Sequence, residues 1–339
     1  MTQLTGSGSP QVDLFLDSLV NAPVKDEQRL MEFPFFGLQK QPRMQPFVYD
    51  DGQVKIEISP GEKGIATIYD KDVLIYCASV INDRMERGLE VSETVRFAPY
   101  DFLRLTGRGT GKDAYEAFLD SLFRLRSTTI RTSIATGDQP PERRGFGWIN
   151  DWRAIEREAA DGSTRMYGVE VTLNRWMFRA VVQDRRVLSI NPRYFRLTMA
   201  LERRVYELAR KHCGRQDEWR ISLKRLHEKC GANDTLRKFK WRLSQIVDRD
   251  LIPDYYIELT MDPNSWPSDV PKPRKLTLDK ILVCIIPRGR PVSRNSKIGI
   301  KKLSEKQAAA QARTPDLPEQ ADLWNHSEDR EHGLGGSGT

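Results

Sequence analysis

Residues 102–127 read FLRLTGRGTGKDAYEAFLDSLFRLRS, and residues 223–248 read LKRLHEKCGANDTLRKFKWRLSQIVD. Aligned without a gap at an offset of 121 residues, Phe102, Leu105, Tyr115, Phe118, Leu122 and Leu125 fall on Leu223, Leu226, Leu236, Phe239, Leu243 and Ile246. Within each stretch the apolar positions recur at the spacing of an amphipathic helix. Each copy therefore reads as a short helix, a step containing glycine (Gly107, Gly109 and Gly111, then Gly231) and a longer helix, the order of a helix-turn-helix.

Working outward, each copy is preceded by a longer helical run, DVLIYCASVINDRMERG at 72–88 and FRLTMALERRVYELARKHC at 195–213. Short apolar segments, RFAP and WRIS, supply a small strand between helices. β-rich segments follow at 127–137 and 252–262, suited to the hairpin of a wing. The block 145–174 alternates as two strands joined at Asp161-Gly162, a strong hairpin signal, and is assigned to the first copy as an enlarged wing. WMFRAVV, read as helix, and RRVLSINP, read as strand, then connect the copies. The expected fold class is α+β, two tandem winged-helix domains related by an internal repeat, with disordered tails. The expected boundaries are a tail at 1–31, a first domain at 32–183 serving dimerisation and protein contacts, a DNA-binding second domain at 184–290, and a tail at 291–339.

The charge is unevenly spread. Lys and Arg number 54 against 47 for Asp and Glu in 339 residues, but between Asp184 and Arg249 there are 18 basic and 8 acidic residues. Between Glu62 and Arg131 there are 11 of each, so the later half carries the field expected to attract a polyanion. Cys77, Cys213, Cys230 and Cys284 form no CxxC pair, which fits reduced thiols in a cytoplasmic protein. No apolar run approaches the ~20 residues of a membrane span, so no membrane association is expected.

The helix expected at 234–249, with Asn233 or Asp234 as its N-cap, turns Leu236, Phe239, Leu243, Ile246 and Val247 toward a core. Arg237, Lys238, Trp241 and Gln245 then face the other way, with Lys240 and Arg249 beside them. Arg suits guanine edges, Gln adenine and Lys phosphates, and Trp has little reason to face bare solvent. In the first copy the matching positions are Glu116, Ala117, Asp120 and Arg124, and acidic groups there would be repelled by phosphates. Helix 234–249 is thus the expected major-groove reader, with Lys224 and Arg225 beside the backbone.

Three other motifs carry residues with possible chemistry. GRGTGKD at 107–113 departs from GxxxxGK[ST], having Thr106 where glycine is needed and Asp113 where a hydroxyl is needed. Its glycines are read as a turn, with Arg104, Arg108 and Lys112 able to touch phosphates. His212-Cys213 and His227-x-x-Cys230 are the one metal-like cluster, but adjacent ligands on a helix point about 100° apart, so a structural role is expected and no cofactor or metal. No His-x-His pair exists for metal-dependent nicking chemistry, and no enzyme is expected. PRGRP at 287–291 resembles the core of an AT-hook, which would put Arg288 and Arg290 in the minor groove of A·T-rich DNA, although five residues in a basic tail match easily by chance.

FPFFGLQKQPR at 33–43, GIATIYDKDVLIYCAS at 64–79, the first repeat and KFKWRLSQI together resemble plasmid replication initiators of the replication initiator protein A type, over about residues 35–290. The resemblance implies binding to origin iterons, help in opening adjacent A·T-rich DNA, and autoregulation at a promoter operator by a homodimer made through the first domain. It also implies host DnaA and the replicative helicase as partners. The neutral first copy departs from initiators whose first domain reads bases too. The alternative reading is a winged-helix transcriptional regulator without a replication role.

Overall fold

The computed structural model describes residues 19, 22–137, 144–158, 162, 164–261 and 277–289. In chain order its elements are β1 (Lys25–Glu27), α1 (Gln28–Glu32), β2 (Phe47–Asp50), β3 (Lys55–Ser59), α2 (Lys71–Glu86), β4 (Thr94–Phe97), α3 (Pro99–Leu105) and α4 (Lys112–Ser127). They continue as β5 (Thr129–Thr132), β6 (Arg144–Phe146), β7 (Ile149–Glu158), β8 (Thr164–Leu173), α5 (Arg175–Val182) and β9 (Val187–Ser189). The remainder is α6 (Ala200–Cys213), β10 (Trp219–Ser222), α7 (Leu223–Cys230), α8 (Leu236–Arg249), β11 (Tyr255–Met261) and β12 (Ile281–Pro287). Helices and antiparallel sheets are mixed, as the α+β expectation requires.

The same order occurs twice. In the first half a long helix, a short strand, two helices and a hairpin (α2, β4, α3, α4, β7, β8) end in a sheet ordered β4-β8-β7. In the second half α6, β10, α7, α8, β11 and β12 end in a sheet ordered β10-β12-β11. In both, the short strand pairs antiparallel with the last strand of the hairpin. Phe118, Leu122 and Leu125 of α4 are fully buried, as are Phe239, Leu243 and, nearly so, Ile246 of α8, so the aligned positions share a packing role. Burying each such side chain is worth about 1.5–3 kcal/mol.

The hairpin read at 145–174 forms as β7 and β8. The strand read at 127–137 goes elsewhere. β5 joins a separate sheet ordered β2-β3-β5-β6, in which Ile130 lies opposite Ile58. Its inward residues Ile130 and Thr132 complete the core beneath β3, and the backbone N–H of Ala66 donates to Thr128 Oγ1 at 2.8 Å just before it. The chain outbids the expected local hairpin with a partner some seventy residues upstream.

The expected tail at 1–31 also ends too late. β1 pairs with β9, the Glu27 carboxylate accepts from the Leu30 N–H at 2.9 Å to cap α1, and Leu30 and Met31 are buried. The run KDEQR reads as solvated, but Asp26 is held by Lys71 at 2.7 Å in the interior. Residues 1–18, 20 and 21 and the tail at 291–339 lie outside the described residues.

Two hydrophobic clusters fill the two halves, and Val24, Met31 and Ile75 belong to the second. Ile75 lies on α2, whose residues Lys71 to Ile81 are all buried. A helix buried all round sits between layers, and α2 packs here against elements of both halves. Its first turn carries the ion pairs that join them: Lys71 meets Glu207 of α6 at 2.8 Å, and Asp72 meets Arg203 of α6 at 2.7 Å.

Candidate nucleic-acid interface

α8 starts one residue after Thr235, whose hydroxyl accepts from the Lys238 N–H and makes it the N-cap in place of Asn233 or Asp234. Asp234 has a different task. Its carboxylate holds Arg242 at 2.8 Å, and its carbonyl lies 2.7 Å from His227 Nε2 on α7. The His227 ring in turn stands edge-on to Phe239. Gly231 caps α7 in the left-handed region at φ 67°, a conformation that favours glycine. These contacts fix the angle between α7 and α8.

Fixed so, α8 turns Arg237, Lys238 and Trp241 outward, with Lys240 and Gln245 half-buried at the margins. Trp241 is 62% exposed, the most of the large hydrophobic side chains described. Among the described residues, none of these five side chains makes a hydrogen bond or ion pair. Arg249, at the far end, is partly engaged by Glu202 at 3.3 Å. On α7 Lys224 is exposed and has no partner among the described residues, whereas Arg225 meets Glu228 at 3.2 Å and stands 3.8 Å from Asp51.

α4 presents a different surface. Arg124, the counterpart of Gln245, is bound to Asp70 by two hydrogen bonds of 2.8 and 2.7 Å. Asp120, the counterpart of Trp241, pairs with Lys63. Glu116 and Ala117 are exposed. At the aligned outward positions, the free cations are therefore on α8.

Three expected contacts need correction or fall away. Arg108 is half-buried, donating to Tyr69 O at 2.6 Å and to Asp72 at 2.9 Å, because the charge of Asp72 inside the protein requires it. Lys112 stays exposed at the start of α4, but Arg108 is turned away from it into the junction. Arg288 likewise faces inward, 2.7 Å from Asp250 and stacked 3.8 Å over the Tyr256 ring, so the hook-like peptide is anchored at its first arginine. Arg290 lies outside the described residues.

The metal-like cluster is absorbed by packing. His212 stacks on Trp219, with burial lowering its pKa to about 4, and burial pushes the Cys230 thiol up to about 12. All four cysteines are buried thiols outside any disulfide. No helix among the described residues is long and apolar enough to cross a membrane.

Sequence reasoning missed the loop at 36–47, which lies against the α7–α8 turn. Phe36, Leu38, Arg43 and Phe47 share a cavity of about 40 Å³ with Gly231, Ala232, Asn233 and Arg242. The one available signal was the aromatic run FPFF, which marks where order begins but not where it packs.

The family model for replication initiator protein A matches residues 25–257. A protein of Wigglesworthia glossinidia brevipalpis, provisionally named a replication protein, is 33% identical over 246 residues, covering 72% of this chain and 88% of that one. Among solved structures, domains 2 and 3 of RctB share the fold at a TM-score of 0.52 and 16% identity, over 76% of this chain and 97% of that chain. The Pi initiator protein in complex with iteron DNA gives a TM-score of 0.44 and 15% identity, over 66% and 92%.

Proposed function

The chain belongs to the replication initiator protein A family, and we propose that it initiates replication by reading DNA sequence with α8. In this reading each half is a winged helix: α7 and α8 form the helix-turn-helix of the second, and the β11–β12 hairpin forms its wing. α8 enters the major groove with its N-terminal turns nearest the base edges. Arg237 makes the bidentate contact to guanine, Trp241 packs against sugars or a thymine methyl, and Lys224 holds a phosphate. The observation that carries the reading is that Arg237, Lys238 and Trp241 on α8 are exposed and have no partner among the described residues, whereas on α4 Glu116 is acidic and Asp120 and Arg124 are paired.

The cognate sites are taken to be iterons of a plasmid origin and the operator of the protein's own promoter. The first half is the homodimer contact, supported by its neutral charge and by β7, which lies at the edge of its sheet. Host DnaA and the replicative helicase are the expected partners at the opened A·T-rich DNA. The protein acts by binding, with no catalytic step of its own. Lys112 at the glycine loop has Asp113 beside it in place of the hydroxyl that a nucleotide site needs.

Duplex selection from a random library with the full-length protein tests this directly. Recovery of one motif whose direct repeats occur beside the gene supports initiation at iterons. Recovery of no motif, with binding equal on all duplexes, would overturn sequence-specific recognition.

A further inference from the structure

Between Leu236 and Arg249, α8 carries five cations and a single acidic residue, Asp248, in its last turn. Arg237 and Lys238 are exposed without a partner among the described residues, and Trp241 stands beside them 62% exposed. A large aromatic body among uncompensated cations calls for a cover that is both acidic and apolar.

The chain itself supplies one. Residues 316–331, which lie outside the described residues, read DLPEQADLWNHSEDRE, with six acidic residues, one basic residue and the apolar Leu317, Leu323 and Trp324. The charge reverses at this point, because residues 290–315 hold seven cations against the single acid Glu305. A concentration of one charge in such a run is a common mark of an interaction segment.

The point of attachment also fits. The last described residue, Gly289, follows Arg288, whose guanidinium donates to Asp250 Oδ1 at 2.7 Å, and Asp250 is the C-cap of α8. The acidic segment is thus tethered at the end of the helix whose face it complements. The 26 residues between Gly289 and Asp316 span at most roughly 90 Å at about 3.3–3.6 Å each, whereas α8 is about 21 Å long at ~1.5 Å per residue. Every position on α8 lies within that reach, and an intramolecular contact needs no second molecule.

We propose that segment 316–331 docks on the outward face of α8 in the same chain, its carboxylates meeting Arg237 and Lys238 and Leu323–Trp324 covering Trp241, and that DNA displaces it. The displacement rests on the reading of α8 as the groove-entering helix. The docking rests only on the helix and the segment. Because phosphates must replace carboxylates on the same cations, the docked segment lowers affinity for every duplex by one factor and leaves the ranking of sequences unchanged.

The test uses the full-length protein carrying Leu323→benzoylphenylalanine, a photo-cross-linker, with the linked residues mapped by mass spectrometry in a mixture of isotope-labelled and unlabelled chains. Cross-links to 236–249 within one chain are expected. Their yield should fall at least fivefold when the six carboxylates of 316–331 are changed to amides, and again when the unaltered segment is challenged with a saturating duplex enriched from a random library. Cross-links confined to the basic stretch 290–315, cross-links only between chains, or a yield indifferent to the amides would each overturn the docking. Cross-links to α8 that persist at full duplex occupancy would uphold the docking and overturn the α8 reading. Without the cross-linker, the amide variant should bind selected and random duplex about five- to tenfold more tightly at 0.1 M salt, the gap narrowing as salt rises. That gain should shrink in a background of Arg237→Ala with Lys238→Ala. A gain of the same size there would reveal a general charge effect and overturn the docking on α8.

Discussion

Lys71 and Glu207 meet at 2.8 Å with their side chains 0% and 2% exposed, and the contact joins α2 of the first half to α6 of the second. Asp26 from β1 holds the same ammonium group at 2.7 Å, while Tyr194 and Arg204 donate to the carboxylate of Glu207. A cation buried this deeply is tolerable only because each partner is itself satisfied. Replacing Lys71 with Met should leave Asp26 without its cation and Glu207 with Arg204 alone as cation, and cost about 3–5 kcal/mol in urea unfolding. A loss below about 1 kcal/mol would show that the junction relaxes or hydrates.

Glu27, next to Asp26, gives this junction a pH dependence. Burial raises the Glu27 pKa to about 7, outweighing its hydrogen bonds from the Leu30 and Arg29 backbone and the attraction of Arg29. Because the folded value exceeds the ordinary 4.5, the folded protein holds the extra proton between about pH 4.5 and 7, and stability falls as pH rises through that window. Asp26, raised to about 6, acts in the same direction, and His212, lowered to about 4, acts oppositely. The effect is therefore read as a difference. Glu27→Gln should gain stability relative to the unaltered protein between pH 5 and pH 8, by on the order of 3 kcal/mol. A difference that does not vary with pH would contradict the burial of this carboxylate.

The repeat was legible because amphipathic periodicity survives in both copies, and the β7–β8 hairpin because Asp161-Gly162 marks its turn. β5 was misassigned because its partner β3 is remote in sequence, and periodicity carries no information about pairing across the chain. Residues 25–31 read as part of a disordered tail because charge composition cannot tell a free side chain from one paired inside. Arg237 and Arg288 are chemically alike in the sequence, yet one is free and the other stacked on Tyr256, a distinction set by tertiary packing alone. The N-cap at Thr235 was missed for a similar reason, since Asp234 is drawn off by Arg242.

Arg288 should accordingly behave as a structural residue. Arg288→Ala removes the pair with Asp250 and the stacking on Tyr256, and is expected to lower stability by about 1–2 kcal/mol. Affinity of the folded protein for A·T-rich flanking duplex should not change. A selective loss on that duplex, at unaltered melting temperature, would restore the minor-groove role.

Gly231 couples the loop of the first half to the helices of the second. Gly231→Ala adds a methyl group 2.5 Å from Pro34 and forces an L side chain into the left-handed region. A cost on the order of 1–3 kcal/mol in thermal or urea unfolding is expected. A neutral substitution would mean that the loop does not press on the turn.

The most direct test is Arg237→Ala, measured on the selected duplex and on random duplex across a salt series, with Lys224→Ala in parallel. If α8 reads bases, Arg237→Ala loses on the order of 1–3 kcal/mol on the selected duplex and far less on random DNA, relaxing preference at one base pair. Lys224→Ala should weaken both duplexes about equally and reduce the salt slope by about one. A loss for Arg237→Ala that is equal on selected and random DNA would mean that this face of α8 touches only phosphates, and would contradict direct readout.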